Sequence, residues 1–508
     1  MALARLLAAA AAVALTTITM TSCASDRSGG GTDATTRTLT IASVNDNNSF
    51  DPAALEIGHR VQYWMPVYDT LLTLDPDSVP QPNLATAWHY DDDATALTLT
   101  LREGVEFTDG EPFDAAAVQA NLEHLAAGGG QNAYMAASIE GYDIADEHEI
   151  TLELSAPDPG LLGYLGVVAG AMASPASLDD PRIAVHPVGS GPYVLDEERT
   201  SSGSQYVYTR NPDYWNPDDF PYDEIVIKPM SETSARVNAL KSGEVDAAMA
   251  VAVSLPDVES TELHIDRTQV NWLGIFIADR EGAQVPALGD VRVRRAINMA
   301  VDTEAVVEHG VLGEGTTTDQ IFNPSSDAFR SGLDSTYSYD LDEARRLMAT
   351  AGYADGFRVT MPDIDGFANL NPIIEQSLAA LNIVVDWVPE APDAAISAVL
   401  SGRYPMFFFQ LGSQSSWQDI EKSVLPDSPW NPFHAEDEEL SALIEAAQTA
   451  AAEDQPDAMR AVNDWLVDNA WFDPWYRENT IYLTRPETEV VMQSQNVVPW
   501  IRDFSPAG

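Results

Sequence analysis

Between Leu97 and Leu125 the spacing of apolar positions changes period once, and the change predicts three elements in a row. Leu97, Leu99 and Leu101 alternate with Thr98, Thr100 and Arg102, which places the two sets on opposite faces of a strand. Val105 and Phe107 carry the alternation to Asp109-Gly110, where glycine tolerates positive φ, Asp can bond its own backbone, and the chain reverses. After Asp114 the period becomes helical. Its carboxylate is placed to cap a helix beginning at Ala115, with Val118, Leu122 and Leu125 as the buried stripe. The same reading predicts strands at 38–42, 150–154 and 480–484 and an apolar strand starting near Asn271. It predicts helices at 438–452 and 457–470, and one capped by Asp290 that buries Val293, Ile297 and Ala300. Pro157-Asp158-Pro159-Gly160 reads as a turn, Gly128-Gly129-Gly130 as an exposed loop, and no internal repeat is present.

Length alters this picture, because 508 residues exceed one ordinary core and imply two or three lobes, for which 45% hydrophobic content is ample. Charge narrows the partners. With 79 acidic against 26 basic residues the formal charge is -53, so phosphate repulsion opposes contact with nucleic acid or an anionic membrane surface. The acidic excess reads as a solvated surface, with attraction of cationic ligands as the other possibility. Only three of the basic residues are lysines, Lys228, Lys241 and Lys422, which fits either a high-GC coding bias or a salt-adapted source.

The beginning of the chain carries a different signal. Arg5 precedes an Ala/Leu-rich run through Leu15 that is too short and too early to span a membrane, so positions 1–22 read as a secretion signal. The single cysteine, Cys23, follows Thr21-Ser22 where a lipoprotein signal resembles Leu-Ser/Ala-Gly/Ala-Cys, and it is expected to carry the lipid. Two acyl chains there suffice for stable anchoring, whereas the bland reading of a lone cysteine is an inert buried thiol. With no second cysteine an internal disulfide is excluded. Positions 23–37, with Gly29-Gly30-Gly31, form a flexible tether.

Leu101, Arg102, Gly104, Val105, Phe107, Asp109, Gly110, Pro112, Phe113, Ala115 and Val118 fit the pattern L-R-x-G-V-x-F-x-D-G-x-P-F-x-A-x-x-V. Tyr68-Asp69-Thr70-Leu71-Leu72 and Pro82-Asn83-Leu84-Ala85-Thr86-Ala87-Trp88 precede it. Gly189-Ser190-Gly191-Pro192-Tyr193, Arg210-Asn211-Pro212-Asp213-Tyr214-Trp215, Leu240-Lys241-Ser242-Gly243-Glu244-Val245-Asp246, the run from Asp290 to Asp302 and the run from Ala344 to Tyr353 follow in order. In this the chain resembles the family 5 extracellular solute-binding proteins, the oligopeptide, dipeptide and nickel receptors of ABC importers. The resemblance implies an α/β, two-lobed, periplasmic-binding-protein-like fold of class II, with mixed sheets flanked by helices, a hinged cleft and an extra subdomain in lobe I. It further implies lobe I at 38–270 with the added subdomain at about 51–184, lobe II at 271–477, and a return to lobe I at 478–508. The implied function is that of a monomeric receptor, held at the outer face of the cytoplasmic membrane only by its lipid. It takes a small solute, first of all a peptide, and hands it to ABC permease subunits.

The resemblance also implies site residues. Peptide-binding relatives carry a segment like Gly-Trp-x-x-Asp in lobe II whose acid meets the ligand's amino terminus, and here Gly412 to Asp419 occupies that stretch. Trp417 and Asp419 are two apart instead of three and no Asp-Pro follows, so Asp419 is either that acid or a surface carboxylate. Asn271 and Trp272 resemble the cleft-facing strand, where a Trp also serves as core, and Tyr63 and Trp64 either line the opposite wall or pack inside.

Other chemistry finds little support. The eight histidines, at 59, 89, 124, 148, 186, 264, 309 and 434, show no zinc spacing, and no metal or cofactor is expected. Gly189-Ser190-Gly191 lacks the nucleophile elbow, and Gly313-Glu314-Gly315 lacks the third glycine of a dinucleotide loop. Asp91-Asp92-Asp93 and Glu436-Asp437-Glu438-Glu439 read as solvated faces or helix starts, so no catalytic residue is assigned. The competing readings are a secreted hydrolase with a carboxylate pair, a receptor for an oligosaccharide, opine or metal chelate, and a lipoprotein signalling or adhesion module.

Overall fold

The computed structural model describes residues 36–391, 394–451 and 453–508. The predicted secretion signal, Cys23 and all but the last two positions of the tether lie outside the described residues.

The principal sheet contains β1 (Thr38–Ser43), β2 (Tyr193–Leu195), β3 (Tyr206–Arg210), β4 (Glu224–Pro229), β5 (Ala247–Ala250), β6 (His264–Ile277), β7 (Gly315–Thr317), β8 (Met406–Gly412) and β9 (Asp473–Thr484). Their order is β8-β6-β9-β5-β1-β4-β3-β2, with β7 on β9. Only β1 pairs in parallel, with β4 and β5, so the sheet is mixed. The fold is two-lobed and periplasmic-binding-protein-like. Buried side chains up to Val270 and from Ile481 onward fill two apolar clusters, and those from Trp272 to Tyr476 fill two others.

Two long strands, β6 and β9, contribute to both sets of clusters. Their ladder runs from His264 opposite Thr484 to Gln269 opposite Asn479, breaks, and resumes with Trp272 opposite Arg477. Such a break leaves residues unpaired and bends the strand locally. Both strands begin earlier than their apolar pattern predicts, at His264 instead of near Asn271 and at Asp473 instead of 480. In β6 the early part, HIDRTQ, is exposed or half-buried on both faces, so backbone pairing alone holds it extended and no alternation marks it.

The predicted strand, turn and helix sit in the first lobe. Ala96–Leu101 lies in a second, four-stranded antiparallel sheet between Ala85–Tyr90 and Glu149–Leu154, with Ile139–Asp146 at the far edge. Leu97, Leu99 and Leu101 are 2% exposed or less, Gly110 has φ +89, and Asp114 Oδ1 accepts from Ala117 N at 2.9 Å to start the helix Ala115–Ala127. Gly128-Gly129-Gly130 is more than a loop spacer, because a Cβ on Gly130 would stand 2.2 Å from the carbonyl oxygen of Ala53. In the second lobe, Asp290 caps Val291–Asn298 and the C-terminal helices run Glu438–Thr449 and Gln455–Asp468. Asp437 accepts from Glu439 N and Leu440 N, so that acidic run is a helix start. Among the described residues no helix is long and apolar enough to cross a membrane.

Candidate functional site

A cavity of about 370 Å³ is lined from both lobes, a size suited to a small organic solute. One side is built by Asn45, Glu56 to Arg60, Gln131, Asn132, Tyr134 and Gln495 to Val497, and the other by Asn271, Leu400, Gln410 to Gly412, Gln414, Lys422 and Trp430. A groove of about 480 Å³ also exists, but its lining, from Ala300 to Ala380, comes from the second lobe alone.

The second-lobe wall rests on the helix Ser416–Ser423. Ser415 and Gln418 exchange capping bonds at its start, Gln418 N to Ser415 Oγ at 3.4 Å and Ser415 N to Gln418 Oε1 at 3.2 Å. A helical step of three then puts Asp419 and Lys422 on one face. Lys422 Nζ donates to Asp419 Oδ1 at 2.8 Å, to Gln414 Oε1 at 3.4 Å and to the Gly412 carbonyl, and Gln414 N also donates to Asp419 Oδ1 at 3.0 Å. The two side chains are only 9% and 4% exposed. Burial pushes the Asp419 carboxyl up against the pull of the ammonium.

Across the cavity Arg60 pairs with Glu56 four residues before it. Burial, helped by Arg236 and Arg60, lowers the His59 imidazole to about 4, so it is neutral near pH 7. Its Nδ1 has no partner among the described residues.

The six residues singled out in the folded chain occupy different places. Asn271 lines the cavity opposite Gly412 of β8, where a Cβ would come within 3.3 Å of Asn271 Oδ1. Its neighbour Trp272 points to the other face of the strand, is 2% exposed, and stacks on Phe276 with ring centroids 4.7 Å apart. Tyr63 and Trp64 are fully buried in the first lobe. They still touch the site indirectly, since Tyr63 Oη donates to the Asn45 carbonyl at 2.7 Å and Trp64 Nε1 to the Glu56 carbonyl at 2.8 Å. Trp417 is 3% exposed within a second-lobe cluster, and Asp419 stands behind Lys422. Sequence reasoning missed Lys422, Gln410, Gln131, Gln495, Tyr134 and Trp430. Gln410, Gln414 and Lys422 cluster around the Gly412 to Asp419 stretch already singled out, a polar concentration that could have marked this wall.

The motifs that carried the resemblance converge elsewhere. Asp69 accepts from Tyr214 Oη at 2.9 Å, Trp215 Nε1 at 3.0 Å and Ser190 Oγ at 3.1 Å, while Arg102 stacks 3.9 Å above the Trp215 ring. Burial raises the Asp69 carboxyl to about 6 in spite of these three donors. Gly189 and Gly191 press against the Val67 backbone, leaving no room for a Cβ. This node lies within the first lobe. Among the described residues no group of three or more His, Cys, Asp or Glu is placed to hold a metal ion.

The chain matches the family model of bacterial extracellular solute-binding proteins, family 5 (middle region), over residues 79–421. It is 28% identical over 326 residues to the glutathione-binding protein GsiB of Salmonella paratyphi A, covering 62% of each chain, so the match spans less than two thirds of that relative. DppA of Helicobacter pylori in complex with the peptide STSA superposes with a TM-score of 0.80 at 21% identity, covering 92% of this chain and 98% of that one. The A. tumefaciens protein AgaA in complex with agropinic acid superposes at 0.81 with 20% identity, covering 93% and 99%.

Proposed function

The chain belongs to the family 5 bacterial extracellular solute-binding proteins, and from that premise we propose that it is the extracytoplasmic receptor of an ABC importer. In this reading it captures a small solute, a peptide being the leading class, between its lobes and delivers the closed form to the permease. The observation that carries it is a cavity of about 370 Å³ walled by both lobes. A solute there contacts both halves at once, and only a ligand with different affinities for the open and closed forms shifts their balance. Taking 38–270 with 478–508 as one lobe and 271–477 as the other, the hinge lies at the break between Gln269 and Trp272 in β6 and the facing part of β9. Cys23 carries the lipid that keeps the monomer at the membrane. The chain does no chemistry on its cargo, and the ATPase step belongs to other subunits.

Small-angle scattering on the mature protein, with and without the solute released from a native preparation, tests closure. Binding is expected to shrink the radius of gyration, and an unchanged radius at saturation defeats the proposal.

A further inference from the structure

Among the described residues three charged side chains line the interlobe cavity, Glu56, Arg60 and Lys422. Each already has an internal partner, although Glu56 and Arg60 are part-exposed and only Lys422 is buried. Glu56 and Arg60 pair with each other, and Lys422 spends its three N–H donors on Asp419, Gln414 and Gly412. His59 adds no charge near pH 7. A charged solute group buried here would find no free opposite charge among the described residues to offset its lost hydration.

The unused polar groups are of another kind. The residues Asn45, Gln131 and Gln495 on the first-lobe side, and Asn271 and Gln410 on the second, line the cavity, and their carboxamides form no side-chain hydrogen bond with any described residue; Asn45 and Gln131 are exposed and the other three half-buried. A carboxamide offers two donors and one acceptor without charge, which suits hydroxyl and amide groups on a ligand. Trp430 and Tyr134 supply apolar ring surface beside them.

We infer that the cavity selects a solute that is uncharged where it meets this wall and rich in hydroxyl or amide groups, as in a neutral saccharide or a peptide with blocked ends. The inference rests on the receptor reading above and narrows it. Because free carboxamides stand on both lobes, such a solute also bridges them, which is the condition for closure.

The test uses the mature chain and two matched probe pairs in calorimetry: N-acetyl-trialanine amide against trialanine, and cellobiose against cellobionate. Within a pair the neutral member is expected to bind at least about tenfold more tightly. The pair that responds tells peptide from saccharide. Equal or tighter binding of the charged members overturns the inference and leaves the receptor reading standing. Gln410→Glu places an unpaired carboxylate on the wall, and is expected to improve binding of the cation trialanine amide by about tenfold while weakening the neutral probe. No change in either shows that Gln410 does not meet the solute and overturns the assignment of this wall. Mass spectrometry of any solute released from a native preparation gives an independent reading, in which a charged solute overturns the inference. If no probe binds and no solute is released, the receptor reading falls and the inference with it.

Discussion

Tyr164 Oη donates to Glu421 Oε2 at 2.6 Å, joining a first-lobe turn to a second-lobe helix. The contact is reinforced by Gln418 Nε2 donating to the Gly160 carbonyl at 3.3 Å and Gln448 Nε2 to the Pro157 carbonyl at 2.8 Å. Asp158 and Tyr134 face the same spot from the first lobe, and Trp417 and Asp419 from the helix that carries Glu421. Two acids therefore approach each other where the lobes meet.

This arrangement makes stability depend on pH. Burial, and then Asp158, raise the Glu421 carboxyl from its ordinary 4.5 to about 8. Below 4.5 the folded and unfolded chains both hold the proton; between 4.5 and about 8 only the folded chain keeps it, so this group costs more stability as pH rises through that window and levels off above it. Melting temperatures followed across the window should fall more steeply for the wild type than for Glu421→Gln. Parallel curves contradict the raised carboxyl.

Asp69 is the acceptor on which donors from two other family motifs converge. Replacing it by Ala strands the donors of Tyr214, Trp215 and Ser190 in the interior, at a cost of about 3 to 5 kcal/mol. Urea unfolding of Asp69→Ala should show a loss of that order. A loss below about 1 kcal/mol means water replaces the carboxylate at no great cost.

The Lys422 and Asp419 pair makes a sharper demand, because each leaves the other uncompensated when removed. Lys422→Met alone is expected to cost about 3 to 5 kcal/mol, whereas Lys422→Met with Asp419→Asn costs much less than the two single changes added together. A double-mutant cycle in urea measures this coupling directly. Additive losses refute it.

Much of the fold was legible in residue spacing. The strand of Leu97, Leu99 and Leu101, the reversal at Gly110 and the helix capped by Asp114 appear as read, since each is set by neighbours within a few positions. The starts of β6 and β9 were not legible, because a strand held by pairing in a sheet needs no apolar alternation of its own. The site divides in the same way. Asn271 and Trp272 are adjacent in sequence, yet strand alternation turns one to the cavity and the other to the core, and which face is which depends on what β8 and the second-lobe helices cover. Tyr63 and Trp64 carry aromatic area that could serve a ligand or a core equally, and their burial follows from side chains far along the chain.

Local order and membership of the fold were thus determined by the sequence alone, through period, caps, turns and motifs that act over short reach. What only the tertiary structure decided is the chemistry of the cavity. Asn45, Gln131 and Gln495 line it from one lobe and Asn271 and Gln410 from the other. The charge pairs are local in sequence, but which carboxamides face each other across the gap depends on distances in space that no spacing along the chain encodes until the lobes have folded against each other.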